Sequence, residues 1–229
     1  MKNYEITKDE KLPFGIGCID SFLHGGIDRG VITQVYGEGG SGKTNLAMQL
    51  TISTLLSGTN VIYIDTEGFS SDRFMQISDG NKEISKHLIL YRPENYGEQE
   101  VNLIKAERLM QSSKDIGLLV IDSLTALLRI EKDENIKSQG LSKIISLLNT
   151  ISNRYGIPVF TTNQIYFDVN AGNITPFGGY LLDHFSKTII SLRRVQPGSR
   201  IMTIEKHRSI KEGETQIFYI GPTGISCFQ

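Results

Sequence analysis

Apolar residues along this chain recur with two different periods. Short, nearly continuous apolar runs occupy residues 31–36 (VITQVY), 61–64 (VIYI), 88–91 (LILY), 118–121 (LLVI) and 158–162 (PVFTT). Runs of this kind predict strands covered on both faces, as in a parallel sheet. Between them the spacing changes to three and four. Val101, Ile104 and Leu109 fall on one side of residues 98–110, and Leu141, Ile144, Ile145, Leu148 and Ile151 form one stripe. Both segments predict helices with one buried face. Shorter helices are expected over 20–23 and 72–77, and Gly58-Thr59-Asn60 ends the helix that follows residue 44. Residues 1–11 read as a polar arm, and residues 168–179 as irregular chain rich in glycine. Strands alone follow, over 188–192, 201–204 and 216–220. Alternating strands and helices and then strands only predict one α/β domain over 1–229. Its sheet is mainly parallel and flanked by helices, with an antiparallel C-terminal extension.

Composition narrows the picture. The 229 residues carry 24 Lys+Arg against 25 Asp+Glu, a formal charge of −1, so any nucleic-acid binding must come from a local patch. The basic residues Arg193, Arg194, Arg200, Lys206, Arg208 and Lys211 give the C-terminal third that character. No apolar run is long enough to span a bilayer and the N-terminus has no signal-peptide stretch, so a cytoplasmic protein is expected. Cys18 and Cys227 lie far apart with no metal-type spacing and are expected to be reduced thiols.

The chemistry centres on Gly37-Glu38-Gly39-Gly40-Ser41-Gly42-Lys43-Thr44. It matches G-x-x-x-x-G-K-[ST] in full, with a strand before it and a helix after it. The glycines let successive N–H groups turn toward one anion, and the helix start adds its positive dipole end. Lys43 is placed to meet the β- and γ-phosphates of a nucleotide, and Thr44 to bind Mg²⁺. Asp122 ends the 118–121 strand, where a carboxylate either completes the Mg²⁺ site or caps the segment 124–127. Glu67 follows the 61–64 strand on the same ligand-binding edge, either activating water or sitting in solvent as a loop acid. Gln164 ends another strand there, as a γ-phosphate sensor or an ordinary strand-end amide. Arg73 either stacks on a purine or is a surface charge. Lys206 and Arg208 either pair with local acids such as Glu205 or reach a neighbouring subunit. Tyr166, Phe167, Phe177 and Tyr180 offer rings that stack on unpaired bases or pin their loop to the domain.

Taken together, GEGGSGKTNLAMQL, YIDTEG, LLVIDSLTALLR, VFTTNQ, FGGYLLDHFSKTIISLRR and EKHR resemble the RecA/RadA family of ATP-dependent recombinases, over nearly the whole chain from about Phe14. The resemblance implies a RecA-like P-loop NTPase core. It assigns Lys43 and Thr44 to phosphate and Mg²⁺, Asp122 to the metal, and Glu67 to activation of water. It makes Gln164 the γ-phosphate sensor, Arg73 the adenine-stacking arginine, and Lys206 and Arg208 a pair acting across subunits of a homo-oligomer. Against the family pattern, the helix-hairpin-helix domain and the Phe-x-x-Ala linker are not found. The first DNA loop, about 130–139, is short and acidic. This implies an accessory role beside a full-length RadA-type recombinase, with slow ATP turnover and with single-stranded DNA favoured over duplex. The alternatives are a self-sufficient strand-exchange ATPase and a KaiC-like signalling ATPase.

Overall fold

The computed structural model describes residues 10–113, 115–168 and 173–227. Nearly all of the expected N-terminal arm, residues 1–9, lies outside them. A two-stranded hairpin of β1 (Lys11–Leu12) and β2 (Ile27–Asp28) encloses α1 (Gly17–Phe22). The main sheet then opens with β3 (Ile32–Gly37), which leads through the glycine loop into α2 (Lys43–Leu56). Next come β4 (Asn60–Asp65), α3 (Ser71–Ile77), a 3₁₀ turn and β5 (Leu88–Tyr91). They are followed by α4 (Tyr96–Ser112), β6 (Ile116–Asp122), α5 (Ala126–Arg129) and α6 (Glu134–Tyr155). The rest is β7 (Val159–Asp168), β8 (Asn173–Pro176), α7 (Gly179–Phe185), β9 (Ser186–Gln196), β10 (Ser199–Lys206), β11 (Thr215–Gly221) and β12 (Gly224–Ser226).

The strands lie in the order β12-β11-β10-β9-β3-β7-β6-β4-β5, with β8 paired only to β7. Pairing is parallel from β9 through β3, β7, β6 and β4 to β5, and antiparallel across β9-β10-β11-β12. Alternate residues of each central strand enter different cores. Val61, Tyr63, Leu118 and Val120 pack with Leu46 and Leu50 of α2, while Ile62, Ile64, Leu119 and Ile121 pack with Leu103 of α4 and Ile144 and Leu148 of α6. This two-sided burial explains why those strands read as continuous apolar runs. Register sets the carboxyl ends side by side. Gly37 pairs with both Gln164 and Leu192, and Asp65 pairs with Asp122.

Several expectations need correction. The face of α4 that is buried carries Gln99, Leu103, Ala106 and Met110, whereas Val101 of the expected stripe is 48% exposed. Of the first loop expected over 130–139, residues 134–139 belong to α6. Residues 168–179 are not simply irregular: Asn173–Pro176 forms β8, antiparallel to the end of β7, and α7 starts at Gly179. The cysteines are not reduced thiols. Cys18 of α1 and Cys227, just past β12, form a disulfide with Cα atoms 5.9 Å apart, although 209 residues separate them in sequence. The antiparallel extension carries the chain end back onto α1, and that return is invisible in linear spacing.

Candidate nucleotide site

The glycine loop is shaped for an anion by its backbone. Gly40 and Gly42 hold φ of 74° and 104°, a region open to glycine and costly for other residues. A Cβ on Gly37 would stand 2.3 Å from the carbonyl oxygen of Leu192, so only glycine lets β3 end this close to β9. The first turn of α2 has no side-chain cap and no acid, leaving its N–H groups directed at the loop. Lys43 is buried, and its Nζ donates to the carbonyls of Gly37 (2.8 Å) and Glu38 (2.9 Å). Burial lowers its pKa, and the carboxylates of Glu67 and Asp122 oppose that shift. Ser41 Oγ is buried without a hydrogen-bond partner among the described residues.

Asp122 is 2% exposed and lies between hydroxyls. Its Oδ2 accepts from Tyr63 Oη at 2.8 Å, its Oδ1 accepts from Thr162 Oγ1, and Thr44 also hydrogen-bonds to it. Burial raises its pKa, while those three hydrogen bonds pull it down. The helix-cap alternative does not hold, because α5 begins at Ala126 with Thr125 at the cap position. Among the described residues no group of three or more His, Cys, Asp or Glu could hold a metal. Mg²⁺ takes most of its ligands from phosphate and water around one or two protein groups. The uncapped amides, the orphaned Ser41 hydroxyl and the Thr44–Asp122 pair together suit a Mg²⁺-bound polyphosphate.

Glu67 is exposed in the turn after β4, and Asp65 shapes that turn. Asp65 Oδ1 accepts from the backbone N of Glu67 (3.2 Å) and Gly68 (2.9 Å), and its Oδ2 accepts from Phe69 N (2.5 Å). Gln164 Nε2 donates to Glu67 Oε1 at 2.7 Å, and Gln164 Oε1 accepts from Arg129 Nη1 at 2.9 Å. A cavity of about 170 Å³ brings Gly39, Gly40, Gly42, Lys43, Thr44, Asn45, Glu67, Gln164, Arg200 and Ile220 together. A second cavity of about 410 Å³ lies on the other flank of the loop, against Tyr36, Glu38, Arg194 and Glu205. The smaller one gathers the residues expected to carry the chemistry.

Arg73 is half-buried rather than a loose surface charge. Its Nε donates to Asn45 Oδ1 (2.7 Å), its Nη1 to Gln76 Oε1 (3.0 Å) and to the Pro222 carbonyl (2.9 Å), and its Nη2 to the Gly221 carbonyl (2.9 Å). These bonds fix the guanidinium plane next to Asn45, a residue of the cavity wall. Lys206 and Arg208 are exposed. Lys206 Nζ donates to the Asp183 carbonyl at 2.6 Å, while Glu205 instead accepts from Ser191 Oγ. The aromatic residues divide. Phe177 packs against the α4–α6 core and its carbonyl accepts from Asn163 Nδ2, whereas Tyr180 is 83% exposed at the start of α7. The side chains of Tyr166 and Phe167 lie outside the described residues.

Sequence reasoning missed Asp65, Arg129 and Arg200 at this site. Asp65 left a trace, since an aspartate at a strand end two residues before another polar position and three before a glycine suits a side-chain-capped turn. Arg129 arrives from an element distant in sequence and left none, and Arg200 was visible only as one of the basic residues of the C-terminal third.

The profile of the Rad51 family matches residues 10–227. A protein of Thermoplasma volcanium named DNA repair and recombination protein RadB is 42% identical over 222 residues, covering 96% of this chain and 94% of that one. Its namesake in Methanococcoides burtonii is 40% identical over 224 residues, covering 96% and 99%. A solved structure titled as that of the RadB recombinase superposes with a TM-score of 0.82 at 35% identity, covering 95% of this chain and all of that one, 100%. With a phosphate loop, a strand-end aspartate and a parallel core extended by antiparallel strands, this chain belongs to the RecA/Rad51 family, on its RadB branch.

Proposed function

We propose that this protein serves DNA recombination and repair by binding Mg²⁺·ATP and DNA. In this reading it hydrolyses ATP slowly, with little stimulation by DNA, and assists a full-length RadA-type recombinase. The recombination role follows the names of relatives matched along almost their whole length. Nucleotide and Mg²⁺ binding is general to the family. Bound ATP supplies the phosphoryl group and Mg²⁺ neutralises its charge.

The protein's own residues divide the remaining work. Lys43 and the loop amides bind the phosphates, Thr44 and Asp122 hold the metal side, and Arg73 orients the base. Glu67 accepts a proton from the attacking water, and Gln164 senses the γ-phosphate. The observation that carries the reading is the chain Glu67–Gln164–Arg129. It ties the water-activating carboxylate to the root of the β7–β8 hairpin and to the end of α5, where the first loop begins. The charge on the first loop supports weak DNA stimulation. Just beyond it, in the first turn of α6, Lys137 pairs with Glu134, while Asp133 stands exposed and Glu131 is half-buried. Tyr180 offers an exposed ring for stacking on an unpaired base.

The test is steady-state ATP turnover with and without single-stranded DNA, with sedimentation run in parallel. Slow turnover changed less than about threefold by DNA, together with binding that weakens steeply with salt, is expected. Strong stimulation with filament formation would instead support a self-sufficient strand-exchange enzyme. Binding insensitive to a tenfold change in salt would refute the electrostatic account of the DNA contact.

A further inference from the structure

One arrangement near the glycine loop is not accounted for by the roles above. Arg194 of β9 and Arg200 of β10 are direct cross-strand partners. Like charges placed opposite one another destabilise a sheet. Among the described residues neither guanidinium forms an ion pair. The nearest compensation is Glu38, whose Oε1 accepts from the backbone N of Arg194 at 3.4 Å. Both side chains lie against the two left-handed glycines of the loop. A Cβ on Gly40 would sit 3.8 Å from Arg194 Nη1, and one on Gly42 would sit 3.8 Å from Arg200 Cγ and 3.9 Å from its Nε. Arg200 lines the cavity shared by Lys43, Thr44 and Glu67. Its Nη1 is anchored on the Ser199 carbonyl at 2.9 Å, and its Nε is buried without a partner. Burial and the neighbouring Arg194 both lower its pKa, and Glu38 opposes them.

We propose that Arg194 and Arg200 form a cation clamp, supplied in cis by the antiparallel extension, that grips the phosphate tail of a nucleoside di- or triphosphate bound in the glycine loop. Arg200 makes the contact. Arg194 adds charge at the outer side of Gly40 and keeps Arg200 turned toward the loop. The inference rests on the nucleotide-site reading and adds to it a grip that needs no second subunit. A clamp on the tail holds ADP as well as ATP, so it favours slow product release.

The test compares wild type with R200Q, R200K, R194Q and K43A, using Mg²⁺ with fluorescent mant-ATP and mant-ADP, alongside melting curves without nucleotide. R200Q is expected to weaken both nucleotides by about tenfold or more, as for loss of a charge-assisted contact. R200K, which keeps the charge, should recover most of that loss. Because a repulsive pair is broken, R200Q without nucleotide should melt no lower than wild type. The clamp is refuted if R200Q binds both nucleotides within twofold of wild type, or weakens only single-stranded DNA. It is also refuted if the affinity loss comes with a lower nucleotide-free melting point and R200K restores neither. K43A separates the nucleotide site from the clamp. Loss in K43A with none in R200Q leaves the site standing and removes the clamp, whereas no loss in either removes the site itself and the clamp with it.

Discussion

At the scale of single residues, position decides which carboxylate does what. Asp122 is enclosed by Tyr63, Thr162 and Thr44 and cannot turn away, whereas Glu67 stands exposed and accepts from Gln164. A fixed, buried acid suits a metal, and a solvent-reaching one suits a proton acceptor. Glu67→Gln is therefore expected to cut ATP hydrolysis by ~100-fold or more while leaving ATP binding nearly unchanged. Phosphate-release kinetics beside a binding titration check this, and retained turnover would reassign the base. Asp122→Asn removes a charge from that enclosure, so the Mg²⁺-dependent part of ATP affinity should disappear. Titrations with and without Mg²⁺ would show an unchanged difference if the assignment were wrong.

At the scale of elements, local chemistry fixes the ends of the segments that carry the site. Asn95 caps α4, its side chain accepting from Glu98 N at 3.0 Å, while Glu98 Oε2 accepts from Glu94 N at 2.9 Å. Asn95→Ala should cost about 1 kcal/mol, read in denaturant unfolding. The end of β10 is held by His207, whose Nδ1 accepts from Ser209 N (3.0 Å) and Ile210 N (3.1 Å) and whose Nε2 lies 3.7 Å from Asp28 Oδ2. Burial lowers its pKa most. Lys11, His24 and Arg208 add to that effect, and Asp28 opposes it. A histidine with a depressed folded pKa binds fewer protons folded than unfolded. Its neutral form stabilises the fold fully above the ordinary value of about 6.5, and that contribution is lost as pH falls below it. Melting temperature should therefore drop from pH 7 to pH 5 more in wild type than in His207→Gln. Equal slopes would show that the imidazole does not govern this end of β10.

At the scale of the whole molecule, the disulfide ties α1 to the end of the antiparallel extension. Closing so long a loop is expected to contribute about 2–4 kcal/mol, so reductant or Cys18→Ser should lower the melting temperature by several degrees. An unchanged melting point would show that the link adds nothing. Most of the parallel core was legible in the sequence, because strands buried on both faces leave unbroken apolar runs and α6 leaves a stripe from Leu141 to Ile151. The glycine loop, Asp122 and Glu67 were legible as separate strand-end features, whereas Gln164, expected at a strand end, lies within β7. What joins them was not. The strand order, the pairing of Cys18 with Cys227, the β7–β8 hairpin, and the approach of Arg129, Arg194 and Arg200 all depend on register between distant segments, to which one-dimensional periodicity is blind. Whether this assembled sheet edge is a Mg²⁺·ATP site is tested most directly by calorimetric titration of Mg²⁺·ATP into wild type and Lys43→Ala. Saturable binding to the wild type that weakens about tenfold or more in the variant is expected; equal affinity in the two, or no binding to either, would contradict it.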